Sequence, residues 1–141
     1  MNLLGPENVM TYEKTREEKY ININSLTKAS VLCPWQIEHL QGEIDLFLNF
    51  ISFQEMEPDV VKNYLKHISR LKTRWILLRN IREGKQVRKN GSSVGVEVPI
   101  KTDDYLAMLP KYRLIERNVF PYGYLTVDNF HSELLLLRRE E

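Results

Sequence analysis

Between Pro34 and Arg88 the chain carries two long apolar periodicities, each opened by a proline, and these restrict the fold more than any other feature. Proline is favoured just inside a helix start, where its fixed φ fits and its missing donor costs nothing. After Pro34, Ile37, Leu40, Ile44, Phe47 and Ile51 recur at steps of three and four, one face of a helix. After Pro58, Val61, Tyr64, Ile68, Leu71, Trp75 and Leu78 repeat those steps, and this second helix should fade near Gly84. A short break at residues 52–57 predicts antiparallel neighbours with shallow, coiled-coil-like packing.

The predicted hairpin carries more apolar surface than its own seam can cover. Leu46, Leu48 and Phe50 lie off the first seam, and Ile76 and Leu77 lie off the second. Each is worth about 1.5–3 kcal/mol when fully buried, so another surface must cover them. That surface is either the C-terminal third of the chain or a partner subunit. A rival reading makes Ile44–Phe53 a buried strand, on its richness in Phe and Ile.

The expected organisation is an N-terminal arm over 1–30, the hairpin over 31–88 and a small β-rich module over 89–141, forming a single domain. In the arm, Tyr20–Asn24 alternates as a short edge strand would. Asn90-Gly91 predicts a β-hairpin turn, followed by a strand through Val94, Val96 and Val98. Thr102 is placed to cap a short helix that Pro110 stops. Tyr112–Phe120 reads as a strand and Pro121-Tyr122-Gly123 as a turn. The run Leu134–Leu137 suits a last helix or a buried strand; Arg138-Arg139 near the negative end of a helix dipole favours the helix. The fold class expected is therefore α+β: a long antiparallel helical hairpin, a small antiparallel β module, and a C-terminal helix or strand.

Charge is segregated. Residues 58–89 hold ten Lys and Arg against Asp59 and Glu83, while the flanking segments are mildly acidic and the whole chain stands at +1. Arg79, Arg82, Lys85, Arg88 and Lys89 would form a basic helix end, with Arg113 and Arg117 added from the β module. A phosphate backbone is a natural partner for such a patch. The fragment Arg70-Leu71-Lys72-Thr73-Arg74-Trp75 is similar to a stretch in one of the GINS subunits of the replicative helicase; no residue role is carried over from it.

Reactive constellations are not evident in the sequence. His39, His67 and His131 are scattered without metal-site spacing, adjacent Asp103 and Asp104 point apart, and no Gly-rich phosphate loop is present. The lone Cys33 fits a reducing compartment, and the N-terminus lacks the pattern of a signal peptide. The sequence thus predicts an intracellular protein, cytoplasmic or nuclear, that is not an enzyme and has no cofactor, metal or small-molecule substrate. Its expected role is a subunit or adaptor of a larger assembly, bound to a protein partner or a second copy through Leu46, Leu48, Phe50, Ile76 and Leu77. The alternative is a nucleic-acid-binding accessory factor in replication or transcription, of viral type for example, using the basic residues named above.

Overall fold

The computed structural model describes residues 4–140 and divides into two compact units, Met1–Ile44 and Asp45–Glu141. The first unit holds four two-residue strands: β1 (Val9–Met10), β2 (Ile21–Asn22), β3 (Ala29–Ser30) and β4 (Leu40–Gln41). They pair in parallel, β1 with β3 and β2 with β4. A single helical turn, α1 (Tyr12–Thr15), follows β1. The centre of this unit is polar. Buried Gln36 donates from Nε2 to the carbonyl and hydroxyl of Thr15, and its Oε1 accepts from the Cys33 amide. A buried amide with its hydrogen bonds satisfied replaces the apolar packing that so short a segment cannot supply.

The second unit is a five-stranded mixed sheet. In chain order it runs β5 (Leu46–Phe50), α2 (Pro58–Arg70), β6 (Trp75–Ile81), α3 (Thr102–Ala107), β7 (Tyr112–Asn118), β8 (Tyr124–Leu125) and β9 (His131–Arg139). Strands are ordered β5-β6-β9-β7, with β8 also on β9. β5 and β6 are parallel, while β9 lies antiparallel between β6 and β7, so β5, β6 and β7 all point one way. The connections through α2 and α3 are the long crossovers that parallel strands require.

The predicted helical hairpin is absent, and local physics explains each departure. Over 46–50 the residues are so uniformly apolar that both a helical and an alternating period fit; the strand forms because it pairs with β6. The second helix stops at Arg70 instead of near Gly84. Lys72 takes φ 49°, while the amides of Lys72 and Thr73 bond back to Ser69 and Ile68. This is a Schellman stop without its usual glycine, so no residue type marks it. Beyond the stop, Trp75 and Leu78 continue the three-four spacing by coincidence. The final element is a strand, β9, and not the favoured helix: β6 and β7 pair with it on both sides, and Leu135 and Leu137 are buried while Leu134 and Leu136 are half-buried, so burial alternates where residue type does not. The Asn90-Gly91 turn forms with Gly91 at φ 79°, but no hairpin follows, and Val87 and Val96 meet in one isolated parallel bridge.

Side chains of α2 and α3 cover one face of this sheet. Phe53 stacks on Phe47 of β5 and Tyr105 of α3, with Tyr64 of α2 beside it. Phe47, Ile76, Leu78, Leu135 and Leu137 share that face by register, and Val61, Leu65 and Ile68 press on it from α2.

Candidate functional site

In open α/β sheets, ligands bind outside the carboxyl ends of the parallel strands, which here is the end of the sheet where β5, β6 and β7 finish. β5 ends in a strained turn. Ile51 holds φ 73°, a conformation a β-branched side chain strongly disfavours. The turn is fixed from both sides: the Ile51 amide bonds to the Arg79 carbonyl at 2.7 Å, and Asn49 Oδ1 accepts from the Phe53 amide at 3.2 Å. Asn49 Nδ2 also donates to Ser52 Oγ at 2.6 Å. Strain of this kind persists only where its surroundings enforce it, and it gathers at functional sites.

Two buried amides join the ends of β5 and β6. Asn80 Oδ1 accepts from the Gln54 amide at 3.3 Å, and Gln54 Oε1 accepts from the Ile81 amide at 2.8 Å. Asn80 Nδ2 is buried and has no partner among the described residues. An unmatched buried donor costs about 1–3 kcal/mol. The Tyr105 hydroxyl is likewise buried without a partner, and burial holds its pKa well above the usual phenol value.

Farther along this end, Glu133 of β9 is 1% exposed. Its Oε1 accepts from Arg82 Nε at 2.8 Å and Arg117 Nε at 3.0 Å, and its Oε2 accepts from the Thr102 hydroxyl at 2.7 Å. Burial alone would raise the Glu133 pKa; the bonds from Thr102, Arg117 and Arg82 together outweigh it and hold the carboxyl below its ordinary value. Arg117 also reaches Asp103 at 3.1 Å. Arg79 donates to the Ser132 hydroxyl at 3.3 Å and lies 4.5 Å over the Tyr124 ring. Glu83 accepts from the His131 amide at 3.0 Å and contacts its ring Nδ1.

The sequence-predicted residues are redistributed by this fold. Leu46, Leu48, Phe50 and Leu77 do share one face of the sheet, but Ile76 lies on the opposite, covered face and is fully buried. Arg79, Arg82 and Arg117 converge on the carboxyl end. Lys85 instead pairs with Glu55 at 2.7 Å, Arg88 donates to the Gly95 carbonyl and Lys89 lies exposed in a loop. Arg113 stands at the other end of β7. The continuous basic helix end does not exist, because those residues lie on a strand and in a loop.

Asn49, Gln54, Asn80 and Glu133 were missed in the sequence. Glu133 had a signal: it occupies the same period-two face as Leu135 and Leu137, an acid in a core position. Among the described residues no group of three His, Cys, Asp or Glu side chains could hold a metal ion, and no helix is long and apolar enough to cross a membrane.

Comparison of the sequence with family models finds no match, and comparison with curated proteins finds none. Comparison of the structure does find likenesses. One is to an S-adenosylmethionine-dependent methyltransferase from Clostridium acetobutylicum ATCC 824, with a TM-score of 0.53 and 12% identity over 92% of this chain and 69% of that one. At that identity the likeness is one of fold. It overturns the helical hairpin on which the readings of a non-enzymatic adaptor and of a nucleic-acid factor, with their partners, were built. The solved protein is itself an enzyme that depends on S-adenosylmethionine, and the likeness runs against the expectation of no enzyme and no small-molecule substrate.

Proposed function

We propose that the second unit is a methyltransferase-type domain that binds S-adenosylmethionine at the carboxyl ends of β5 and β6. The observation carrying this reading is the strained Ile51 turn set beside the unpartnered Nδ2 of buried Asn80. A fixed turn and an unsatisfied donor at the same strand ends are what a site looks like before its ligand supplies the missing acceptor. Adenine ring nitrogens and an amino-acid carboxylate, both present in adenosylmethionine, are such acceptors. The ligand has no pyrophosphate, so it does not require the glycine-rich phosphate turn this sequence lacks. The methyl group is carried by the ligand; Asn49, Ser52 and Asn80 would position it. An intracellular compartment, cytoplasmic or nuclear, belongs to the same reading and agrees with the lone free Cys33.

Calorimetric titration with S-adenosylmethionine and S-adenosylhomocysteine tests the proposal. Saturable binding is expected, weakened about tenfold or more in Asn80→Ala, since one hydrogen bond to a charged group is worth about 1.5–3 kcal/mol. Ile51→Gly relieves the left-handed strain and keeps the fold, so weaker binding in that variant reports the loss of the preset turn. Absence of saturable heat at millimolar ligand, with the protein folded by circular dichroism, overturns the reading.

A further inference from the structure

The opposite end of the sheet, where β6 and β7 begin and β9 ends, concentrates positive charge from distant parts of the chain. Arg113 and Arg138 are direct partners in the β7–β9 register, with Trp75 beside Arg138 on β6. Like charges placed directly opposite on an antiparallel pair repel. Among the described residues only part of that cost is offset. The Arg138 guanidinium lies 5.5 Å over the Trp75 ring, and Arg113 meets Glu140 at 4.0 Å, both side chains being more than 60% exposed (63% and 62%). Exposed pairs of that length contribute little.

Backbone pairing brings two more cations to the same end. The Arg139 amide bonds to the Arg74 carbonyl at 3.0 Å, and the Glu140 amide bonds to the Lys111 carbonyl at 2.9 Å. Arg74 and Lys111 are both exposed. Arg139 is already engaged: its Nη1 donates to the Ser69 carbonyl at the end of α2. A hollow of about 310 Å³ opens here, lined by Arg113, Arg138, Arg139 and Glu140.

We propose that this hollow binds an oligophosphate group, a pyrophosphate or triphosphate that is either free or carried on a larger molecule. Paired guanidinium forks match phosphate oxygens two at a time. Among the described residues, Arg113 and Arg138, with Arg74 and Lys111 at the same end of the sheet, outnumber Glu140 and leave a surplus of positive charge greater than one orthophosphate carries. A bound oligophosphate bridges Arg113 and Arg138 and displaces Glu140, turning their repulsion into shared attraction. The site does not depend on the adenosylmethionine reading, since it lies at the other end of the strands.

The test is titration of the full chain with inorganic tripolyphosphate, with adenosine triphosphate as the carried form and orthophosphate as the control. Tripolyphosphate is expected to bind more tightly than orthophosphate, with affinity falling as salt rises. Arg138→Ala and Arg113→Ala are each expected to weaken it about tenfold or more. Glu140→Gln should tighten it by up to about fivefold, because a competing carboxylate is removed. A merely structural cluster would not respond in that direction. Binding of adenosine triphosphate alone, insensitive to the arginine variants, would assign recognition to the base elsewhere and overturn the proposal. So would the absence of any tripolyphosphate signal at millimolar concentration.

Discussion

On β6, Ile76 and Leu78 are wholly buried against α2 and α3, whereas Leu77 between them is only partly covered, and its β5 partner Leu48 is 53% exposed. Both faces of the sheet carry Leu, Ile and Phe. What separates them is the period of two, which sends alternate side chains to opposite sides, together with two helices that pack on one side only. A hydrophobic residue type therefore says little about burial in this unit; position within the strand decides it. The sequence-level grouping of Leu46, Leu48, Phe50, Ile76 and Leu77 as one surface fails at Ile76 for this reason alone.

The sharpest way to break the comparison is to truncate one residue on each face. Ile76→Ala is expected to destabilise the protein by about 4 kcal/mol, the cost of lost burial plus a cavity, read from the urea midpoint of unfolding. If it costs no more than an exposed truncation, the two faces are equivalent and the covered face is not the core.

The covered face also carries the buried Glu133 network, and its loss should come next. Glu133→Ala removes the shared partner of Arg82 and Arg117 and is expected to cost about 3 kcal/mol, the low end for a buried pair because the arginines keep partial contact with water. The pH dependence follows from the sign of the shift. Glu133 has a lower pKa folded than unfolded, so its contribution is fully present above the ordinary carboxylate value of 4.5 and is lost as pH falls through the folded value. Denaturant midpoints measured from pH 7 down to pH 3 should show a steeper decline in the parent than in Glu133→Gln. Parallel curves would show that the network does not stabilise the ionised form.

The smallest effect belongs to the other face. Leu48→Ser should change stability by less than about 1 kcal/mol, because the side chain already meets water in the folded chain. A loss as large as that of Ile76→Ala would show that this face is packed in solution.

Several elements were legible in the sequence. Pro58 marks the first residue of α2, and Pro121 falls in the turn after β7. Of the spacing Val61, Tyr64 and Ile68, Val61 and Ile68 lie buried on α2 and Tyr64 is half-buried, while Leu65, outside that spacing, is buried too. Tyr112–Asn118 forms the strand that its composition suggested. The end of α2 was not legible, because a Lys at φ 49° does the work usually left to glycine. Strand pairing was not legible either: β9 enters between β6 and β7, and that register brings Glu133 against Arg82, 51 residues away in sequence, and Arg117, 16 away. Of the candidate site, Arg79 and Arg82 stood out as parts of a helix end and Arg117 as part of a β module; the amides of Asn49, Gln54 and Asn80 gave no signal, since polar residues near element ends are ordinary.

Where helix and strand starts could fall, how much apolar surface had to be buried, and the concentration of positive charge after Pro58 are all set locally along the chain. These follow from local properties: proline's fixed φ, side-chain chemistry and short-range spacing. That Leu46–Phe50 and Trp75–Ile81 are strands, which of their side chains are core, and which polar groups meet at the carboxyl end depend on long-range pairing. An apolar run satisfies a helix and a strand equally until a neighbouring strand supplies hydrogen bonds for its backbone, and that neighbour is chosen by contacts between residues far apart in the chain.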